Sequence, residues 1–384
     1  MAALVVSKFG RIGRKQVTPI LGVVGICKRH KSHTLTNYKR GTGGRSSFSG
    51  TVATVFGASG YLGGDIVNRL GKTGSQVIVP YRADPYEVQR LRLCGDLGQI
   101  LFYPIHLQDE AAIKRCMKYS NVVINLIGRE WETKNFKFDD VHVDGARLIA
   151  KCAREAGVEK LLHMSALNAS ENPQKIYLKK GSQFLASKAR GEDAVREEFP
   201  DAIVFRPSDI FGGYDKFVTY YAKWWRRSGN RIPMWRKGME TIKQPVFRGD
   251  VATGIVNAIQ DPDAVGKTFD IVGPHRYYLG DLVQFFYRCL RNDYAKISFM
   301  DPIFRAKVRW MTYAPATPIM TWEKIEREFI TDMTMENPTL EDLGVKLTRI
   351  EDRAIFDLKP MRLYNYYEEK LGEFAPPSWP PVLA

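Results

Sequence analysis

From Thr51 onward, short apolar runs alternate with longer stretches in which apolar residues recur at helical spacing. The runs predict strands over 51–56 (TVATVF), 76–79, 101–104, 122–126 (VVINL), 160–164, 203–205 and 268–272. The intervening segments predict helices over 61–70, 110–118, 143–156, 182–198 and 251–259. Strands that read as continuous apolar runs, each followed by a helix, imply an α/β fold with a parallel sheet covered on both faces. After Phe211 the rhythm breaks, and residues 214–245 are rich in aromatic and basic side chains. From Leu279 the chain reads as mainly helical with proline interruptions and a Pro-rich end that contains PPSWPP. The expected organisation is a sheet domain over 51–272 and a smaller, mostly helical C-terminal lobe over 273–384.

Charge changes the picture mainly at the N-terminus. The 384-residue chain carries a formal net charge of +15, yet its first fifty residues contain ten Lys or Arg and no acid before Asp65. Without them, 47 basic residues face 42 acidic ones, so the body lacks the strongly basic face of a nucleic-acid binder. Lys8, Arg11, Arg14 and Lys15 recur at helical spacing among apolar residues, with Ser and Thr nearby. These are the marks of a mitochondrial transit peptide, assigned to residues 1–35 and followed by a flexible leader over 36–50 (ending GTGGRSSFSG). The rival is a secretory signal with Val17–Cys27 as its apolar core. Thr18, Pro19, the continuing basic residues and the lack of an A-x-A site oppose it. The five cysteines are scattered, with no CxxC, so neither a disulfide framework nor a metal site is expected.

The first strand runs into Gly57-Ala-Ser59-Gly60-Tyr61-Leu62-Gly63 and then a helix. Glycine at these spacings permits a tight turn, close approach of backbone to a pyrophosphate, and close helix–strand packing. The helix N-terminus offers free N–H groups to the phosphates. This context is that of a Rossmann-type, doubly wound dinucleotide-binding sheet. An acid at the end of the second strand would accept from the ribose 2′-OH of NAD, whereas a basic residue would pair with the 2′-phosphate of NADP. The segment VIVPYRAD places Arg82 there, and its planar fork suits a phosphate. Ser59 could add a hydroxyl contact. NADP(H) is therefore the favoured cofactor. Asp84 keeps NAD(H) open, and FAD shares the ADP half.

The G-x-x-G-x-x-G turn and the order of later motifs resemble the short-chain dehydrogenase/reductase superfamily, in its extended and atypical branches, over roughly residues 51–272. Asn125-Leu-Ile-Gly128 matches the end of the fourth strand near the cofactor. His163-Met-Ser165 matches the end of strand five that presents the family's serine. Arg206-Pro207-Ser-Asp-Ile210-Phe-Gly212 matches the R-P-x-x-x-x-G loop beside the nicotinamide. The resemblance implies cofactor contacts from Asn125, Ser165, Pro207 and Ile210. The family's Y-x-x-x-K pair corresponds here to Phe184-Leu-Ala-Ser-Lys188. Lysine is retained, which implies ribose binding, but phenylalanine has no proton to relay. The resemblance therefore implies a bound nucleotide and no catalytic residue.

VFGASGYLGGDIVNRLGKTGSQVIVPYR, SALNASENPQKIYLKKGSQFLASKARGE and ENPTLEDLGV closely resemble the dehydrogenase-like accessory subunits of mitochondrial respiratory complex I, over nearly the whole chain beyond residue 45. That resemblance implies NADPH as a structural cofactor and a role in assembly or stability. It also implies a peripheral place on the matrix side of the inner membrane, with other complex I subunits as partners. Tyr220–Arg227 and Ile303–Trp322 mix aromatics with base, as protein interfaces and anionic membrane surfaces require. The other reading of both segments is a covering lobe whose aromatics fill its own core. The functional alternative is a free matrix NADP-dependent reductase or isomerase.

Overall fold

The computed structural model describes residues 39–82, 84–292, 296–313 and 318–380. The transit-peptide reading over 1–35 lies outside the described residues, as does Cys27. From residue 39 the leader is engaged with the body. Arg40 and Phe48 exchange backbone hydrogen bonds of 2.8 Å, and the Ser49 N–H donates to the Gly74 carbonyl at 3.1 Å.

The apolar runs become β1 (Val52–Phe56), β2 (Gln76–Tyr81), β3 (Ile100–Pro104), β4 (Val122–Asn125), β5 (Lys160–Met164), β6 (Ile203–Pro207) and β7 (Thr268–Ile271). They form one seven-stranded sheet in the order β7-β6-β5-β4-β1-β2-β3, every neighbouring pair parallel. Order reverses between β1 and β4, which opens a crevice at their carboxyl ends, where open α/β sheets bind ligands. The connecting helices are α1 (Gly63–Lys72), α2 (Glu110–Met117), α3 (Gly145–Ala156), α4 (Gln183–Glu198) and α5 (Arg248–Gln260). α1 and α5 cover one face of the sheet with Ile66, Leu70, Val251 and Ile255. α2, α3 and α4 cover the other with Ile113, Ile149 and Val195. Three short two-stranded ladders outside this sheet carry no strong run of alternation and were not expected from the sequence.

The C-terminal lobe contains α6 (Leu279–Cys289), α7 (Pro302–Tyr313), α8 (Trp322–Phe329) and α9 (Ile350–Leu358) around a second apolar cluster. That cluster begins at Phe211 and includes Tyr220 and Tyr221, so a boundary at 272 does not divide the two cores. In the other direction, Leu340, Leu343 and Val345 pack into the sheet domain's core. Asp270 holds that tail in place, accepting from the Met335 N–H at 2.9 Å and the Asn337 side chain at 3.2 Å. The two units therefore exchange chain.

The aromatic-basic segment at 220–227 needs correcting as a surface patch. Arg226 is 0% exposed, packs among Tyr220, Tyr221 and Phe304, and pairs with Glu328 at 2.6 Å. A guanidinium carries enough apolar carbon and planar surface to fill a core if one carboxylate compensates it. Of that segment's large aromatics, Trp224 is the exposed one.

Candidate functional site

The glycine turn does what each spacing requires. Gly57 has φ +78°, and a Cβ there would lie 3.0 Å from the Leu126 carbonyl carbon, so the turn leans on the end of β4. At Gly63 a Cβ would sit 2.4 Å from the Ala58 Cα, which makes glycine a condition of packing α1 against the turn. Gly60 differs: within 4 Å its Cβ would meet one atom, the Gly57 carbonyl oxygen at 3.1 Å. The space before Gly60 is therefore open, as close approach by a pyrophosphate needs. α1 begins with Leu62 at its N-cap and no side-chain cap, so its first N–H groups remain available to an anion. The Leu62 side chain is buried in the core. Tyr61 donates from its hydroxyl to the Gly212 carbonyl at 2.5 Å, tying the turn to the lobe.

At the β2 end of the crevice, Arg82 follows the strand and is exposed. Asp84 is engaged elsewhere: its carboxylate accepts from the Tyr86 N–H at 2.9 Å and caps the short helix Pro85–Gln89. Two arginines missed by the sequence reading lie near. Arg90 donates to the Ser59 carbonyl at 2.8 Å. Arg129 is lowered from its ordinary pKa by burial and then by the charge of Arg82. Among the described residues, none of the three is ion-paired. Arg90 could have been suspected from its place after the second strand, but nothing local marked Arg129.

At the other end, Asn125 is buried with both amide atoms engaged. Its Oδ1 accepts from the Ile127 N–H at 3.1 Å, and its Nδ2 lies 3.2 Å from His163 Nδ1. Asn125 thus shapes the loop after β4 from below. Lys188 is 5% exposed and donates to the Met164 carbonyl at 2.9 Å. Burial, against the attraction of Glu192, lowers its pKa to about 8. A Cβ at Gly128 would stand 3.2 Å from Lys188 Nζ, which places the retained lysine under the G of N-L-I-G. The Ser165 Oγ is buried without a hydrogen-bond partner in the protein, an orphan that a ligand group could satisfy.

Phe184 sits one turn before Lys188 on α4. Its ring meets Phe138 and His142 edge-on, with centroids 6.1 Å and 5.2 Å away, and carries the Arg327 guanidinium 4.0 Å over its face. His142 accepts from the Arg129 N–H at 3.0 Å and bonds Ser187 at 2.8 Å. Burial, reinforced by the charge of Lys188, pushes its pKa down to about 2, so it stays neutral. Tyr177, nearest in sequence, does not reach this place; its ring stacks on Trp322 at 4.7 Å.

Tyr61, Ser165, Phe184, Pro207 and Ile210 line one cavity of about 270 Å³ between the sheet's carboxyl edge and the lobe. α8 (WEKIEREF) closes it and organises its walls. Glu323 accepts from the Ser182 hydroxyl at 2.9 Å and supports the start of α4. Glu326 accepts three backbone N–H groups, from Ile176, Tyr177 and Leu178, at 2.6, 2.8 and 3.0 Å. Lys324 and Arg327 face the cavity, with Glu130 opposite them. Burial works against Glu130, but the charges of Lys324, Arg327 and Lys216 hold its pKa down to about 2. Burial brings Lys324 to about 8. The structure thus joins four expected contacts, Tyr61 of the glycine turn among them, in one cavity, puts Lys188 and Asn125 beneath it, and leaves the turn's three glycines and Arg82 outside its lining. Sequence reasoning missed α8's contribution because no motif ties residue 327 to residue 184.

Comparison with known proteins agrees with this layout. The NAD dependent epimerase/dehydratase family matches residues 53–272. A mouse protein, NADH dehydrogenase [ubiquinone] 1 alpha subcomplex subunit 9, mitochondrial, is 47% identical over 341 residues, which covers 88% of this chain and 87% of that one. The NADH-ubiquinone oxidoreductase 40 kDa subunit of Neurospora crassa is 34% identical over 86% of this chain and 84% of its own. A solved structure of UDP-glucuronic acid 4-epimerase from Bacillus cereus, in complex with UDP-glucuronic acid and NAD, superposes with a TM-score of 0.55. At 13% identity, and covering 81% of this chain and 99% of that one, it shares the fold. The open face at Gly60, the lysine under Gly128 and these relatives converge: the chain belongs to the NAD dependent epimerase/dehydratase family and, within it, to the family of the mitochondrial complex I alpha subcomplex subunit 9.

Proposed function

We propose that this chain is a non-catalytic accessory subunit of mitochondrial respiratory complex I that holds NADP(H) as a structural cofactor. The observation that carries the reading is the combination at α4. The nucleotide side of the site is intact from Gly57 to Lys188, while the proton-relay position is Phe184, capped by Arg327 at 4.0 Å. The cavity's tyrosines do not replace the relay: burial raises the pKa of Tyr61, Tyr220 and Tyr221, the opposite of what a relay phenol needs. Gly57, Gly60 and Gly63 admit the pyrophosphate, Lys188 and Ser165 hold the ribose and amide end, and Pro207 and Ile210 flank the ring. Arg82, with Arg90 and Arg129 near the same end, selects the 2′-phosphate, and Asp84, engaged as a helix cap, does not compete for NAD. The relatives' names support the mitochondrion as its place and other complex I subunits as its partners. Residues 1–35 act as the import signal. Among the described residues no helix is long and apolar enough to cross a membrane, and the proposed place is peripheral, on the matrix side of the inner membrane. α7 presents Ile303, Trp310 and Tyr313, 67–79% exposed, beside Arg305 and Arg309, a surface suited to a partner subunit or anionic lipid headgroups.

Gly60→Ala provides the test. Its Cβ enters the pyrophosphate face and touches little else, so the variant should fold yet purify without NADP(H), and complex I containing it should be depleted. Extraction of FAD or NAD(H) from the wild type would refute the cofactor assignment. Steady carbonyl-reductase turnover that disappears in Lys188→Ala would restore the free-enzyme alternative.

A further inference from the structure

We propose that Arg327 makes this site selective for the redox state of its nucleotide, admitting the neutral reduced nicotinamide and rejecting the cationic oxidised ring. The inference rests on the NADP(H) reading above. Its basis is the charge balance of the cavity. Glu328 pairs with Arg226 at 2.6 Å, and Asp209 and Asp332 share Lys243 at 3.1 and 3.2 Å. Glu130 is the counter-charge of three cations: Lys216 at 3.2 Å and, acting on it more strongly through space, Lys324 and Arg327. Lys324 and Arg327 therefore share one carboxylate with a third cation. Among the described residues neither has a carboxylate within ion-pairing distance, and the Arg327 Nε is buried without a hydrogen-bond partner. The Lys243 group carries one surplus negative charge, but Asp209 is its exposed member and water screens it.

Arg327 stands where that charge matters. It covers the ring of Phe184 at 4.0 Å, and its field reaches Glu130 and Lys324 in the cavity wall and His142 and Lys188 beneath it. Ser165, Pro207 and Ile210, the residues matched to the nicotinamide end, line the same cavity. The oxidised and reduced dinucleotides are alike in their phosphates, riboses and adenine; they differ by one positive charge on this ring. A cation placed there meets Lys324, Arg327 and Lys188, against which Glu130 is already shared, in a space partly shielded from water where charge interactions are strong. The reduced ring meets no such repulsion. Nucleotide occupancy then follows the reduced fraction of the surrounding pool rather than its total, because a ligand shifts a protein only through differential affinity.

The test titrates NADPH, NADP⁺ and 2′-phospho-ADP-ribose, which lacks the ring, against the full chain freed of nucleotide. The variants are Arg327→Met, which keeps length and removes charge, and Arg327→Lys, which keeps charge. Wild type should bind NADPH at least about tenfold more tightly than NADP⁺, equivalent to about 1.4 kcal/mol. Arg327→Met should bring the two within about threefold, chiefly by tightening NADP⁺, and Arg327→Lys should preserve most of the difference. Affinity for 2′-phospho-ADP-ribose should be the same in all three proteins. Lys324→Met removes the second unpaired cation and should narrow the ratio in the same direction, which keeps the idea open to refutation if Arg327→Met does not fold. Equal affinity of the wild type for both redox states, or an unchanged ratio in the charge-removing variants, overturns the inference while leaving NADP(H) binding standing. Failure of all three ligands to bind overturns the cofactor reading and this inference with it.

Discussion

Replacing Glu326 by glutamine tests whether α8 holds the cavity wall. The Glu326 carboxylate is 0% exposed and accepts from three consecutive backbone N–H groups, one on Oε1 at 2.6 Å and two on Oε2 at 2.8 and 3.0 Å. Glutamine has nearly the same shape but turns one of those oxygens into an NH₂ group. Whichever way the amide faces, at least one backbone donor then meets another donor, and the remaining bonds lose their charge assistance. A charge-assisted hydrogen bond is worth about 1.5–3 kcal/mol, and a buried donor left unpaired costs a similar amount, so the expected loss is about 3 kcal/mol. With an unfolding entropy near 2.1 cal/mol/K per residue, a body of this size loses about 1.4 °C per kcal/mol, or a Tm shift of about 4 °C. Locally, amide hydrogen exchange at Ile176, Tyr177 and Leu178 should accelerate more than exchange in β1 or β4. Glu341→Gln, at an exposed position, is the control. A Glu326→Gln protein that melts within a degree of wild type, with those three amides still protected, would show that the carboxylate does not hold the loop.

Gly63→Ala should fail to fold, since its Cβ meets backbone at 2.4 Å, whereas Gly60→Ala, with a nearest contact of 3.1 Å, should give soluble apoprotein; circular dichroism and nucleotide extraction distinguish the two. Arg226→Met should destabilise by about 3–5 kcal/mol because Glu328 is left buried and unpaired, and Glu328→Gln should recover part of that loss in urea melts of the double variant. Lys324 titrates near 8 in the folded state and near 10.5 when unfolded, so its charge disfavours folding fully below pH 8 and this cost fades as pH rises toward 10.5. Lys324→Met should therefore be more stable than wild type at pH 7, with the advantage shrinking by pH 9.5; a gap that widens with pH would contradict the assignment. Subtracting wild type from variant removes the opposing effect of the buried thiols of Cys116, Cys152 and Cys289, whose pKa burial raises to about 11, 11 and 12.

The sheet was legible because its strands are short apolar runs buried on both faces, where composition alone marks the element. β5 matches its expected bounds, and β1 and β4 differ from theirs by a residue at one end. The glycine turn was legible for a similar reason: its constraints are local, between atoms a few residues apart. The C-terminal lobe was not. Its core draws Tyr220 and Arg226 from one segment, Phe304 from another and Glu328 from a third, and only their meeting makes a buried ion pair from what the sequence presents as a basic aromatic surface. The tail 337–345 was assigned to the lobe by position, yet Leu340 and Val345 belong to the sheet's core. At the site, Phe184 could be read by alignment with a family motif. Arg327, whose guanidinium covers that ring, lies more than a hundred residues away on a helix that carries no motif.

That separation bears on how, under the function proposed above, the site would lose chemistry and keep its ligand. Removing the relay hydroxyl leaves a hydrophobic ring at the floor of a polar cavity, and an open cavity there would admit water against Phe184. α8 resolves this by covering the ring with a guanidinium whose π contact tolerates an apolar partner. The same helix anchors the start of α4 through Glu323, holds the loop at 176–178 through Glu326 and pairs with the lobe's buried arginine through Glu328. The start of α4, the loop at 176–178 and the lobe's buried arginine thus share one short helix.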